Sequence, residues 1–316
     1  MEALTTTQPL TAYDVTDDVR GLKTVFVNLY FVGHPGQGNP WVLVDAGLPG
    51  YADQIRQRAE QLFGEDNPPR AIVLTHGHGD HVGSLETLLE DWQVPVYAHR
   101  LEHPYLTGKA SYPPPDPGIG GGLMAYMSWF FPTNPIDIST NLRPLPDSGT
   151  IRELPGWRFI HTPGHAPGHI SLFRDSDRTL IAGDAFVTTN QNSAYAVATQ
   201  KVELHGPPAY FTIDWEAARH SVDRLAGLHP AAVGAGHGQA VRGLDLQIEL
   251  SRLVNNFDKR SIPSKNGRYV KEAVVADENG IVSMPSPTSF YVARAIGIGV
   301  LTGLVAAGIG KLMKRN

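Results

Sequence analysis

The segment THGHGDH at residues 75–81 runs on from the apolar stretch AIVLT at 71–75, and nothing else in the 316-residue chain restricts its fold as strongly. A short, wholly apolar run bounded by turn residues reads as a buried strand. Four groups able to hold a metal, His76, His78, Asp80 and His81, therefore gather at a strand end. Glycines at 77 and 79 let the backbone turn tightly enough for those side chains to converge. Gathered there without partners, each polar group would cost about 1–3 kcal/mol. The chain has no Cys, which removes disulfides, thiolate nucleophiles and thiolate metal sites and leaves any metal to His, Asp or Glu. Neutral imidazoles with carboxylates suit zinc and related divalent ions.

The first motif lies in an alternating layout. LKTVFVNLYFV at 22–32 and WVLVDAG at 41–47 carry the β-branched and aromatic pattern of two neighbouring strands. Residues 51–63 read as an amphipathic helix with Ile55, Ala59, Leu62 and Phe63 on one side, ended by Gly64 and the Pro68, Pro69 pair. A helix near 82–91 and a strand at 94–98 continue an α/β order. Between Thr107 and Pro146 the alternation fails, and PPPDPG, GIGGG and an aromatic and Met-rich patch from Met124 to Phe131 read as an inserted lid or dimer contact, or as satellite packing under a long loop. Strands return at 157–161, 170–174 and 179–182, and a helix at 215–228 with Asp214 as its N-cap leads into the strand AAVGAG at 231–236.

Further candidate ligands stand at these later strand ends: His165 in HTPGHAPGH at 161–169, Asp184 in LIAGDA at 180–185, and His237 in GAGHG at 234–238. Seven ligands, five His and two Asp, exceed the needs of one tetrahedral ion and suit two ions sharing a bridging carboxylate. The order HxHxDH, then His, Asp and His, resembles the metallo-β-lactamase fold hydrolases over about residues 20–245. That resemblance implies a four-layer αββα sandwich with the metals at one edge of its two sheets. It places His76, His78 and His165 on the first metal, Asp80, His81 and His237 on the second, and Asp184 between them. It also gives Asp45, in LVDAG, the part of a carboxylate that orients a ligand, and His161 and His169 read as supporting groups around the third motif. The implied cofactor is two divalent ions, most simply Zn2+, whose bridging hydroxide attacks the substrate while Asp80 handles its proton.

Family membership alone does not choose the reaction. With 26 basic against 31 acidic side chains and a net charge of −5, the chain offers no basic field for a nucleic acid, so a small-molecule substrate is expected. Asp80 next to His81 resembles the glyoxalase II and lactonase branches. A carboxylic ester or lactone is preferred to a glutathione thioester because the patch containing Met124, Trp129 and Phe130 suits an acyl group. Some lactonases carry a tyrosine soon after the bridging aspartate; here Phe186 and Val187 stand in that stretch, so Tyr195 and Tyr210 become the candidates for oxyanion support. The alternatives are a hydroxyacylglutathione hydrolase, an iron-dependent oxidoreductase resembling persulfide dioxygenase, and a non-catalytic binding module.

The organisation expected is a catalytic domain at 1–262 with an insertion at about 107–146, followed by a tail at 263–316 with an apolar helix at about 290–313. Residues 1–9 carry no basic n-region and no apolar run, which predicts a cytoplasmic start. Residues 295–310 carry no charge, and Ala295, Gly299, Gly303 and Ala307 recur every four residues. These 16 residues would span roughly 24 Å as a helix against about 30 Å of hydrocarbon. Lys311, Lys314 and Arg315 would also end on the disfavoured side of a full crossing. The segment is therefore expected to lie at a membrane surface, to pair with a second tail in a homodimer, or to pack on the domain.

Overall fold

The structure, a computed structural model, describes residues 10–120, 122–263 and 265–286. Among these residues seven strands form one sheet: β1 (Thr11–Thr16), β2 (Val19–Thr24), β3 (Val27–Val32), β4 (Val42–Val44), β5 (Ile72–Val73), β6 (Val96–Ala98) and β7 (Leu142–Pro144), in sequence order. The pairs from β1 to β4 are antiparallel and those from β4 to β7 parallel. A second sheet has the order β12-β11-β10-β9-β8, formed by β8 (Trp157–His161), β9 (Ile170–Arg174), β10 (Thr179–Ile181), β11 (Ala232–Gly234) and β12 (Val241–Arg242).

The period of two along each strand assigns its residues to two different apolar layers. In β3, Leu29 and Phe31 join Ile55 and Phe63 of the helix Ala52–Phe63 and Leu88 of the helix Leu85–Asp91. Tyr30 and Val32 face the other way and meet Leu172 and Ile181 of the second sheet. In that sheet Phe173, Leu180 and Val233 point outward to Val222 and Leu225 of the helix Trp215–Ala226 and to Leu246 and Leu250 of the helix Gly243–Asn255. The result is four layers, helices outside and two sheets inside. Coverage on both faces accounts for the wholly apolar sequences of β4 and β5.

Three departures from the sequence reading have local causes. The run 22–32 is two strands, because the chain reverses at Val25 and Phe26 with Thr24 paired to Val27, and Val25 takes a φ of +62°. Tight hairpins usually announce themselves with Gly or Asn at such a position, and this one has a β-branched residue instead. Strand β7 lies inside the segment expected to be an insertion; its Pro144 suits only an edge, which is where it sits. The helix expected near 82–91 is two pieces, Gly79–Val82 and Leu85–Asp91.

Residues 265–286 form the short helix Arg268–Lys271 and the hairpin β13 (Val275–Asp277) and β14 (Gly280–Ser283). They pack on the base of the 107–146 segment: the Tyr269 hydroxyl donates to Pro114 O at 2.7 Å, and Arg268 N–H donates to Asp116 Oδ2 at 2.6 Å. The apolar helix expected at 290–313 lies outside the described residues. Among the described residues no helix is long and apolar enough to cross a membrane.

Candidate metal centre

The parallel strands β4 and β5 and the strands β8, β10 and β11 deliver the site residues at or just beyond their C-terminal ends, where an open α/β sheet places its ligands. Asp45 follows β4, His76 to His81 follow β5, His165 follows β8, Asp184 follows β10 and His237 follows β11. The strand-end loops are tied down individually. Asp214 caps the helix Trp215–Ala226 by accepting from Ala217 N at 2.9 Å, and its own N–H donates to Gly164 O at 2.9 Å, beside His165.

The seven side chains fall into groups whose donor atoms lie within 4.8 Å of one another: His76, His78 and His165; Asp80, His81 and His237; and His76 and His81 with Asp184. Asp184 Oδ2 stands 3.2 Å from His237 Nε2, 3.4 Å from His165 Nε2 and 3.6 Å from His81 Nε2, a central position between the first two groups. Six of the seven are buried, while the Asp80 side chain keeps 26% of its surface exposed.

Hydrogen bonding fixes which nitrogen each imidazole presents. Thr75 donates its N–H to Asp45 Oδ1 and its hydroxyl to Asp45 Oδ2, both at 2.8 Å. With that hydroxyl proton already committed, the 3.1 Å contact to His76 Nδ1 is a donation from the ring, and His76 Nε2 keeps a bare lone pair. Thr212 likewise donates to Pro208 O at 2.8 Å and so accepts from His165 Nδ1 at 3.4 Å. His81 Nδ1 donates to Asp45 Oδ2 and His237 Nδ1 to Phe26 O, each at 2.9 Å. Four Nε2 atoms are thus turned inward, and His78 meets His165 Nε2 through its Nδ1 at 3.0 Å. His76 Nε2, His81 Nε2 and Asp184 Oδ1 are buried with no hydrogen-bond partner. Leaving three such atoms unsatisfied is expensive unless a cation completes them, so the residues present fit divalent metal.

The charges agree with this. Burial, with like-charged neighbours adding to it, holds His76 and His165 well below the usual imidazole range; burial pushes His78 down to about 4 although Asp80 and Asp184 oppose it. These three offer lone pairs at neutral pH. Burial also disfavours charge on His81 and His237, but the carboxylates of Asp184 and Asp80 outweigh it and raise both. The pull of those carboxylates for positive charge is one that a divalent cation also answers.

The supporting groups divide. Asp184 N–H donates to His169 Nε2 at 2.8 Å, so His169 carries its proton on Nδ1, 2.9 Å from Thr162 Oγ1, and holds the Asp184 backbone. Burial pushes His169 down to about 3. His161 does not face the metal groups: it stacks on His99 with ring centres 4.2 Å apart and donates to Pro167 O at 2.9 Å.

A cavity of about 190 Å³ opens onto His78, Asp80, His165, Asp184 and His237. Its remaining walls are Phe26, Leu48, Pro49, Phe131, Pro132, Pro208, Tyr210 and Phe211, with Gly79 at one side. Of the five residues expected to meet substrate, Tyr210 is on the wall. Met124 is half-buried and packs against the outer core of the second sheet, while Trp129, Phe130 and Tyr195 are 42%, 82% and 73% exposed and line none of it. The 3₁₀ turn Ser128–Phe130 directs the next residues, Phe131 and Pro132, inward instead. Phe26 and Leu48 carry no sequence signal, because only tertiary packing brings the β2–β3 turn and the loop after β4 to the metal groups.

Two buried sheets between helix layers, with a cluster of His and Asp at their strand ends, define a metallo-hydrolase architecture. Residues 22–237 match the family model of the metallo-beta-lactamase superfamily. The chain is 47% identical over 254 residues to a probable metallo-hydrolase, YflN, of Bacillus subtilis (strain 168), covering 80% of this chain and 96% of the relative. It is 29% identical over 144 residues to the hydroxyacylglutathione hydrolase GloC of Haemophilus influenzae, covering 45% and 59%. Among solved structures, a B3 metallo-beta-lactamase with an active-site glutamic acid superposes with a TM-score of 0.55 at 18% identity, over 80% of this chain and 90% of that one, which shows the fold. The chain belongs to the metallo-β-lactamase superfamily. It is a metal-dependent hydrolase, and its His and Asp cluster is a site for divalent metal ions.

Proposed function

We propose that this protein hydrolyses an uncharged carboxylic ester or lactone at a pair of zinc ions, with His76, His78 and His165 holding one, Asp80, His81 and His237 the other, and Asp184 between them. The observation that carries the substrate class is the cavity wall: beyond the metal-facing groups it is apolar and aromatic, and among the described residues no Lys or Arg lines it. A neutral acyl group leaves water favourably for such a surface, whereas a charged glutathione moiety would meet no counter-charge there. The zinc assignment follows from an all-nitrogen and carboxylate donor set.

Bound there, the ions supply Lewis-acid polarisation of the scissile carbonyl and ionisation of water near neutral pH. The residues of the chain do the rest. Asp80 lines the cavity, and its Oδ2, 3.5 Å from His237 Nε2, is the oxygen that would hold the ion; the other carboxylate oxygen is left to accept the proton of the attacking water and return it to the leaving alkoxide. Tyr210 lies on the same wall, and burial, reinforced by the negative charge of Asp80 and Asp184, pushes its phenol up, so it stays protonated and can donate to the developing oxyanion. Phe131, Tyr210 and Phe211 lie with ring centres 5.3 to 6.2 Å apart and hold the acyl side away from water.

The test is elemental analysis followed by a substrate panel. Two zinc ions per chain are expected, and a single iron with no zinc, from cells supplied with both metals, would overturn the metal reading. With aryl esters, acyl lactones and S-lactoylglutathione compared on the zinc-loaded protein, the neutral substrates should show the higher kcat/KM. A preference of about tenfold for the thioester, some 1.4 kcal/mol of transition-state binding, would transfer the assignment to the GloC-like activity.

A further inference from the structure

Glu102 is a fully buried carboxylate that the hydrolytic chemistry does not use, and it sits between the two loops that carry the three-histidine group. It belongs to the one-turn segment Arg100–Glu102 after β6. Its Oε2 accepts from the backbone N–H of Gly77, between His76 and His78, at 2.9 Å. Its Oε1 accepts from the backbone N–H of Gly168, three residues past His165, at 2.7 Å. Tyr112 donates its hydroxyl to the same Oε2 and also lies 2.9 Å from Gly77 N. Tyr112 is in turn fixed on both sides: it stacks on Tyr105 with ring centres 3.9 Å apart, and its ring packs 4.4 Å from that of His78. Ala166, next to His165, completes this small core with the two tyrosines.

We propose that Glu102, with Tyr112, is a positioning residue that sets the spacing between the 76–78 loop and the 165–168 loop and thereby shapes the three-histidine ion site specifically. A carboxylate is needed because the three groups aimed at it are all donors, and only an ionised acid presents acceptors on both sides. Burial pushes Glu102 up, but the bonds from Tyr112, Gly168 and Gly77 oppose this and favour the anion. The opposite group is held differently: His81 by Asp45 and His237 by Phe26 O, neither of which touches Glu102. Loosening Glu102 therefore acts on one ion and spares the other. This rests on the two-ion reading above.

Glu102→Gln keeps the shape but turns an NH2 toward one of the backbone N–H groups. The experiment is a chelator titration of the zinc-loaded protein that follows ion release, with the melting temperature of the metal-free protein measured alongside. The step belonging to the three-histidine ion is identified as the one that His165→Ala abolishes. In Glu102→Gln that step should move to about 10- to 100-fold weaker affinity, the range for groups that orient metal ligands, and the other step should move by less than threefold. Tyr112→Phe, which keeps the stack and removes one donor, should move the same step by several-fold. Unchanged release from folded Glu102→Gln, or equal weakening of both ions, would overturn the proposal. If Glu102→Gln does not fold, Tyr112→Phe decides it, with unchanged release again the overturning result. A wild type that holds only one ion sinks the two-ion reading by itself. The positioning role is then judged on that ion, and an unshifted affinity in either variant refutes it.

Discussion

Gly236→Ala is the substitution that most directly tests whether close approach at the metal groups is required. A Cβ built there would lie 2.0 Å from Asp184 Oδ1 and 2.8 Å from His81 Cε1. Gly236 lies outside the left-handed region, so the strain of the added methyl is argued from the contact alone. To restore even the 3.0 Å that real Cβ atoms tolerate, Asp184 Oδ1 must retreat by about 1 Å. It cannot do so freely. The Asp184 N–H is bonded to His169, and Asp184 Oδ2 is surrounded by His81, His165 and His237 within 3.6 Å. Overpacking of this kind costs about 1–3 kcal/mol, offset by some 0.4–1 kcal/mol from the smaller entropy of the unfolded chain. The metal-free variant should melt a few degrees lower. A 1 Å displacement of a reacting constellation costs on the order of 100-fold in rate, so hydrolysis should fall at least that far, with fewer than two zinc ions retained. The matched control is Gly79→Ala on the other metal loop: contrary to the tight glycine turn expected from the sequence, Gly79 does not use the left-handed region but opens the helix Gly79–Val82, and the nearest atom, Pro132 Cγ, stands 3.5 Å from the built Cβ. Its stability should stay within about 0.5 kcal/mol of wild type and its rate within a few-fold. Wild-type turnover with two ions bound in Gly236→Ala, or equal damage in Gly79→Ala, would refute the steric argument.

Two further outcomes follow from groups outside the ion-binding shell. Asp45→Asn leaves the left-handed backbone, φ +62°, to a residue that tolerates it, but it can place an amide N–H against His81 Nδ1 and favour the tautomer that blocks Nε2; zinc affinity measured by chelator competition should fall about 10- to 100-fold, and an unchanged affinity contradicts the role. Far from the metals, the Arg174 bond, with Thr179 adding to it, pulls Asp177 down to about 2 against the effect of burial. A depressed carboxylate adds stability above its unfolded pKa near 3.9 and loses it as pH falls through about 2. The Asp177 side chain is 41% exposed, so after solvent screening the contribution is about 1 kcal/mol or less. Asp177→Asn should therefore melt about 2 °C below wild type at pH 7 and converge with it only as the pH falls below about 2, and a gap that widens in acid would be the wrong sign.

The set of candidate metal ligands, and the superfamily they point to, came from the sequence alone. Ligand types and their placement after apolar runs are local properties, so His76, His78, Asp80, His81, His165, Asp184 and His237 were legible without any coordinates. The burial of β5 was legible for the same reason, since the wholly apolar run at 71–75 has to be covered on both faces. Tertiary structure decided what depends on distant segments meeting. Val25 and Phe26 break an apparently continuous strand with no turn residue, and the hairpin they make supplies both a cavity wall and the carbonyl that orients His237. Met124, Trp129 and Phe130 have the composition of an acyl site, yet a single 3₁₀ turn gives that position to Phe131 and Pro132. Glu102 lies in an unremarkable stretch, HRLEHPY at 99–105, and its role exists only because Gly77 and Gly168 come to it from loops 25 and 66 residues away. A hydrogen-bond acceptor leaves no periodicity in the chain, and a backbone N–H leaves no side chain to read. Contacts of that kind are set by how the sheets pack.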